Sequence, residues 1–147
     1  MKSLNHTISV AVSHNLVAAG TTVQNGTVID VAGYDGVFFI AKFGALTANQ
    51  VTSMQAQQDS VAAFSSNNNI AGSKTDALAD NASNKCLTLD VSQPTKRYVR
   101  AVINRATANA AIDSCIAICY RAGYKPTTHN SSVYASKTVV RAEEGTA

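Results

Sequence analysis

Two neighbouring segments near the C-terminal end of the chain alternate apolar and polar residues, and a short loop joins them. They span residues 96–105 and 112–121. Because successive side chains of a strand point to opposite faces of a sheet, this pattern is typical of two consecutive β-strands. The side chains expected to share a face are Val99, Ala101 and Ile103 in the first segment, and Ile112, Ser114, Ile116, Ile118 and Tyr120 in the second. The two segments therefore predict a sheet protein, and they contain no arrangement that is typical of an active site.

Similar patterns recur in the rest of the chain. Further strands are predicted near residues 7–12, 37–43, 51–57 and 85–91. The third of these also fits a helix, but we favour a strand because each clear neighbour is one. Asn25-Gly26 favours the positive φ angles of a type I′ turn, so a tight hairpin is predicted there. Gly33 and Gly36 flank a second turn, and the strand that follows is apolar on both faces, which predicts that both faces are covered.

The remaining segments complete the predicted fold. Residues 59–84 are rich in Ser, Asn, Asp and Ala, which predicts a long excursion with one short strand near residues 70–74. Residues 131–141 fit one more edge strand. The resulting seven to nine short strands predict an all-β protein, with a single β-sandwich or jelly-roll-like domain over residues 1–147. Extended arms are expected at about residues 1–6 and 133–147.

Composition narrows the classes of protein that the chain fits. Charged residues make up 14% of the chain, whereas about 25% is usual. Few side chains are therefore available for acid–base catalysis, and we expect that the protein is not an enzyme. The net charge of +3 is modest and lacks the basic stripe of a nucleic-acid binder, so we expect no nucleic-acid partner. No stretch approaches the roughly 20 apolar residues of a membrane span, and the N-terminal residues do not resemble a signal peptide. We expect no membrane association.

Cysteine and histidine usage argues against a metal site. Cys86, Cys115 and Cys119 cannot all pair with one another. Cys115 and Cys119 lie four residues apart on one predicted strand, a separation of about 13 Å that is too long for a disulfide. We therefore favour buried free thiols in a reducing compartment. The histidines are scattered without the spacing of metal ligands, so we expect no metal and no cofactor.

Several cationic residues lie within or near the first of the two C-terminal segments. They are Lys96, Arg97, Arg100, Arg105 and Arg121. In an extended strand, Lys96, Tyr98 and Arg100 share one face, whereas Arg97 and Arg105 project to the other. Sheets that bind nucleic acids combine cations and aromatic rings on an exposed face, but one such triplet makes only a small platform. We favour the interpretation that these cationic side chains lie at strand ends that face solvent or a partner.

The order of these signals resembles that in the small capsid cement, or head-decoration, proteins of tailed bacteriophages. The matching stretches are residues 33–39, 55–58 and 84–85, residues 96–100 with Arg105, and the closing residues 144–147. They span most of the chain in the expected order. The resemblance implies a single jelly-roll-type β-domain that sits outside the major capsid shell and bridges adjacent capsomers. It implies no catalytic residues and no cofactor.

The resemblance also implies partners and a location. The expected partners are the major capsid protein and further copies of the chain, most often in a dimer. The protein would be made in the host cytoplasm and found on the outer surface of the virion. Charges at the rim of the contact would set orientation, and the candidate contact residues are Arg97, Arg100, Arg141, Glu143 and Glu144.

Other functions remain open at this point. A tail or head-completion protein of a phage fits the same pattern. A carbohydrate-binding or adhesion β-sandwich fits the fold, although the absence of Trp counts against it. A small binder of single-stranded nucleic acid would show an affinity that falls steeply with salt.

Overall fold

A computed structural model describes residues 3–65 and 68–139 of the chain. Regular structure in these residues consists of one short 3-10 helix and nine β-strands. The helix is Leu4–His6, and the strands are β1 (Ser9–His14), β2 (Val17–Gly20), β3 (Gln24–Asn25), β4 (Ile29–Asp30), β5 (Gly36–Leu46), β6 (Val51–Asp59), β7 (Cys86–Ser92), β8 (Tyr98–Ala106) and β9 (Ala110–Tyr120). The predicted all-β fold is confirmed, and the segment that also fitted a helix is the strand β6.

The strands form two antiparallel sheets. The five-stranded sheet has the order β1–β9–β5–β7, and β2 also pairs with β9. The four-stranded sheet is built around β8, which pairs with β6 along one edge and with β3 and β4 along the other. Side chains from both sheets form a single buried cluster. The described residues therefore form a single β-sandwich.

The core between the sheets is filled unevenly. Large side chains from β5 and from the four-stranded sheet are completely buried, among them Phe39, Phe43, Met54 and Ile103. The inner positions of β9 carry small side chains instead, namely Cys115, Ala117 and Cys119. Ile116 and Ile118, the large apolar residues that alternate with these three, therefore lie on the other face of the sheet.

The hairpin predicted at Asn25-Gly26 is wrong. β3 and β4 run along the same edge of β8 as two parts of one interrupted strand. Gly26 lies between them, and its N–H donates to the Ala101 carbonyl at 2.8 Å. A Cβ at Gly26 would lie 2.4 Å from Ser13 Oγ and 2.6 Å from His14 Cε1. Glycine therefore allows close packing here, and it does not supply the positive φ of a turn.

The predicted face of Ile112 is also wrong. Lys42 of β5 pairs with Ser114, but Phe43 pairs with Ile112, so Asp113 is an extra residue in β9. Such a β-bulge reverses the alternation of side chains along the strand. Ile112 consequently points into the core and is completely buried, whereas Ser114 and the residues that share its face point outward.

Residues 59–84 form the predicted excursion, but the short strand predicted near residues 70–74 is not formed. The segment runs along the free edge of β6, where the Ile70 N–H donates to the Ala56 carbonyl at 2.9 Å. Side-chain hydroxyl groups take the place of some backbone partners, because the Ala56 N–H donates to Ser73 Oγ at 3.0 Å. This mixed pairing covers the edge of β6 without a regular strand.

The edge of β1 is covered in a similar way by residues 127–132. The Asn130 N–H donates to the Val10 carbonyl at 3.1 Å. The edge strand predicted at residues 131–141 is not formed up to residue 139, where the described part of the chain ends. Residues 127–132 are held against β1 by side-chain hydrogen bonds and isolated backbone hydrogen bonds, and not by a regular strand pairing.

Candidate interaction surface

The outer face of the five-stranded sheet carries a compact set of large apolar side chains. Three adjacent strands contribute them in two aligned rows, because β9 pairs with β1 on one side and with β5 on the other. One row is Val10, Ile118 and Phe38, and the next is Val12, Ile116 and Ile40. We call these six residues the apolar grid.

The apolar grid is not part of the core. Each of its side chains is only half-buried, and none belongs to the core cluster or packs against it. The expectation that β5 is covered on both faces is therefore not met, because Phe38 and Ile40 are half-buried on the outer side. Contiguous apolar patches on the surface of a soluble protein mark contacts with another protein or ligand.

Polar groups border the apolar grid at both ends. At one end Lys42 forms an ion pair with Asp113. At the other end the Tyr120 hydroxyl donates to Asp90 Oδ1 at 2.7 Å. This contact crosses Gly36, where a Cβ would lie 2.4 Å from the Tyr120 oxygen. An apolar centre with a polar rim is the usual anatomy of a protein–protein interface.

The cationic group predicted from the sequence does not form one patch. Arg97 is exposed and makes a bidentate contact with Asp30, with Nε 3.0 Å from Oδ1 and Nη2 2.7 Å from Oδ2. These hydrogen bonds from Arg97 hold the pKa of the Asp30 carboxyl below its usual range. Arg100 lies on the outer face of the other sheet, where Nε donates to Gln57 Oε1 at 2.9 Å and the guanidinium stacks 4.4 Å from the Phe64 ring.

Arg105 contradicts the expectation of a solvent-facing or partner-facing side chain. It is 3% exposed and points into one end of the sandwich. The guanidinium donates to the carbonyl oxygens of Ala18, Thr22 and Ala110 at 2.9, 2.9 and 2.7 Å. It therefore ties the loop after β2 to β9 and is unavailable to a partner.

The other three candidate contact residues, Arg141, Glu143 and Glu144, lie outside the described residues. The structure thus places Arg97 and Arg100 on the side of the four-stranded sheet, away from the apolar grid. The apolar grid was not predicted from the sequence. Its signal was present in the alternation of Val10 and Val12 with small residues, and of Ile116 and Ile118 with Ala117.

The two terminal segments lie against each other. Asn5 Nδ2 donates to the Lys137 carbonyl at 3.1 Å and to Thr138 Oγ1 at 3.0 Å. A cleft of about 560 Å³ is lined by residues 5–6 on one side and by parts of residues 126–138 on the other. Tyr134 on its wall is fully exposed. These segments add a second exposed region beside the sandwich.

A serine–histidine contact is present but is closed to substrates. Ser13 Oγ lies 3.2 Å from His14 Nδ1, and His14 Nε2 lies 3.2 Å from the Gln24 carbonyl oxygen. His14 is 5% exposed and Ser13 is 3% exposed. The contact therefore belongs to the packing between the sheets.

Burial of His14 predicts a pH-dependent stability. Desolvation lowers the pKa of His14 below its ordinary value of 6.5, although the hydrogen bond to Gln24 acts in the opposite direction. The unfolded chain then binds a proton at a higher pH than the folded chain does. The free energy of unfolding should fall as pH drops below about 6.5, by up to about 1.4 kcal/mol per pH unit until the folded-state pKa is reached.

Urea unfolding at closely spaced pH values measures this effect. The pH range, from about 7.5 to about 5, brackets the ordinary pKa of histidine. A His14→Gln variant should lose the dependence in that window, and an NMR titration of His14 in the native protein should give a pKa below 6.5. A stability that is constant between pH 7 and the onset of carboxyl titration would contradict the assignment.

The cysteines are free, as predicted, but only two are buried. Desolvation raises the pKa of Cys115 to about 11 and that of Cys119 to about 12, so both thiols are inert at neutral pH. Cys86 is exposed on β7, which corrects the expectation that it is buried.

Two further observations concern the described part of the chain as a whole. Within residues 3–65 and 68–139, no three His, Cys, Asp or Glu side chains are grouped so that they could hold a metal ion. The same residues contain no helix that is long and apolar enough to cross a membrane.

No protein-family model matches the chain, and no curated protein shows significant similarity to it.

Proposed function

We propose that the protein is a structural component of a bacteriophage virion that binds the outside of the assembled capsid shell. In this role it bridges neighbouring capsomers of the major capsid protein and stabilises the head against the pressure of the packaged DNA. The apolar grid carries the proposal, since its six apolar side chains adjoin one another on three paired strands and stay only half-buried among the described residues. The resemblance of the chain to head-decoration proteins supplies the identity of the partner.

The geometry suits a passive binding role. The grid lies on three hydrogen-bonded strands, so its side chains are held in place before a partner arrives, and little conformational entropy is lost on binding. Burial of apolar surface supplies the attraction, at about 25 cal/mol per Å². The polar groups at the two ends of the grid would then fix its orientation on the partner.

Binding of this kind stabilises a shell by mass action. A ligand that binds the assembled lattice but not the free subunits contributes about 2.7 kcal/mol per site at a hundredfold excess over the dissociation constant. A capsid repeats its sites many times, so moderate affinity at each site is sufficient. Arg141, Glu143 and Glu144 stay proposed contacts at the rim, whereas Arg97 and Arg100 lie away from the grid and take no part in this contact.

Co-sedimentation with phage heads tests the proposal. Purified protein is mixed with expanded heads from which decoration proteins have been stripped, and bound protein is measured across a concentration series. We expect saturable binding at a fixed ratio per capsomer, together with heads that survive a higher temperature. A well-folded protein that does not bind heads would contradict the proposal and would direct attention to tail parts and to glycans.

A further inference from the structure

One edge of the five-stranded sheet has no partner strand in the part of the chain that the structure describes. β7 lies at the end of the sheet opposite β1, and it pairs only with β5 among the described residues. The Phe43 N–H donates to the Lys85 carbonyl at 3.1 Å, and the Gln93 N–H donates to the Asp35 carbonyl at 2.7 Å. Because the bonding direction alternates along an antiparallel strand, the odd-numbered residues of β7 bond to β5. The residues whose N–H and C=O groups point to the open edge are therefore Cys86, Thr88, Asp90 and Ser92.

This edge lacks the usual protection. The edges of β1 and β6 are covered by residues 127–132 and by part of residues 59–84. β7 contains no Pro or Lys, and its register with β5 is unbroken over its whole length, so no bulge twists it away. All four residues with open backbone groups are exposed. Open, regular edges of this kind are templates for another strand.

We infer that β7 pairs antiparallel with β7 of a second copy of this chain, around a two-fold axis at Leu89. In this register Cys86 lies opposite Ser92 of the second copy, and Thr88 lies opposite Asp90. All four residues with open backbone groups then form hydrogen-bonded pairs. A register centred on Thr88 or on Asp90 pairs only three of the four, and the latter also places two Asp90 carboxylates directly opposite each other.

The side chains of β7 support the same register. Leu87 and Leu89 face the core side but stay half-buried, because the edge leaves them without a neighbour. The second copy would cover them with its own Leu89 and Val91. On the outer face, Asp90 is the one charged residue of β7, and it already accepts a hydrogen bond from Tyr120. The pairing therefore places no like charges directly opposite each other.

The dimer joins two five-stranded sheets into one continuous sheet. A two-fold axis that relates antiparallel edge strands stands perpendicular to the sheet. Both copies of the apolar grid consequently lie on the same side. This consequence deepens the proposed function and rests on it, since the two grids of one dimer would bind two neighbouring capsomers at once. The dimer itself does not depend on the capsid partner.

Analytical ultracentrifugation of the full chain, without heads, tests the dimer. We expect a concentration-dependent dimer for the wild type. Thr88→Asp places a carboxylate opposite Asp90 of the second copy at two symmetry-related positions, and should raise the dimer dissociation constant about tenfold. Thr88→Lys places an ammonium group there instead and should not weaken the dimer. A monomer at every concentration, or equal weakening by the two variants, would overturn the inference.

Cysteine cross-linking provides a second measurement of the axis. In a Cys86→Ser background, Leu89→Cys brings two thiols together across the axis, at a Cα separation of about 4.5 Å that a disulfide can span. Leu87→Cys is the matched control on the same face, because its two copies would be about 14 Å apart along the strands. Mild oxidation should yield a covalent dimer of the first variant only. Equal yields, or no dimer from the first, would reject this axis.

Since no heads are present, a negative result would refute the dimer while leaving capsid binding to its own test.

Discussion

Replacing Arg105 with methionine is expected to lower the free energy of unfolding by about 3 kcal/mol. The buried guanidinium satisfies three carbonyl oxygens, those of Ala18, Thr22 and Ala110. Methionine fills a similar volume but donates no hydrogen bond, so the buried Ala110 carbonyl would be left unpaired and those of Ala18 and Thr22 would lose their partner. Urea unfolding monitored by circular dichroism measures the change, with the slope of the transition used to check that it remains two-state.

Two control variants isolate the hydrogen bonds from the loss of charge. Arg105→Lys keeps a positive charge but lacks the planar fork, and should fall between the wild type and the methionine variant. Arg121→Met removes a cation whose side chain is 80% exposed and lies 4.0 Å from Asp35, and should change stability by no more than about 0.5 kcal/mol. Equal stabilities of the two methionine variants would show that the buried network contributes nothing.

The strands were predictable because their signal is local. Alternation of apolar and polar residues follows directly from the geometry of an extended chain. It correctly placed β5, β6, β7, β8 and β9, and the residues that it put on one face of β8, namely Val99, Ala101 and Ile103, form the core face of that strand. Glycine at both ends of the turn before β5 was equally informative, since Gly33 has a φ of +82°.

The same signal did not predict which face of each strand points into the core. In β1 and β9 the larger apolar side chains form one face and the smaller ones the other. Local pattern favours the larger face for the core, but Phe39 and Phe43 already fill the space between the sheets. Close packing leaves room only for the small residues Cys115, Ala117 and Cys119 opposite them, so Ile116 and Ile118 face outward. The apolar grid is thus a consequence of tertiary packing.

Gly26 and Arg105 were misread for a related reason. An Asn-Gly pair has a strong local preference for a hairpin, and the contact that overrides it comes from Ser13 and His14 on another strand. An arginine near a strand end is normally solvated, and its burial here depends on carbonyl oxygens from residues 18, 22 and 110. Neither contact is visible in the residues that lie next to these positions in the chain.

Replacing Ile116 and Ile118 together with threonine is expected to weaken binding to heads about 100-fold. These residues occupy the middle strand of the apolar grid, each flanked by apolar neighbours from β1 and β5. Threonine keeps the β-branched shape and the preference for a strand, but it brings a hydroxyl group into the contact. Both positions are outside the core cluster, so the thermal unfolding temperature should change little.

The most direct test of the proposed docking face is a binding isotherm of three proteins to the same stripped, expanded heads. They are the wild type, the Ile116→Thr/Ile118→Thr variant, and a control with Val23→Thr and Val51→Thr. The control changes two β-branched residues that are 54% and 47% exposed and lie outside the grid. We expect the control to bind as the wild type does, and the grid variant to lose about 100-fold in affinity while remaining folded. Equal affinities of the grid variant and the wild type would contradict the assignment of this face as the surface that meets the capsid.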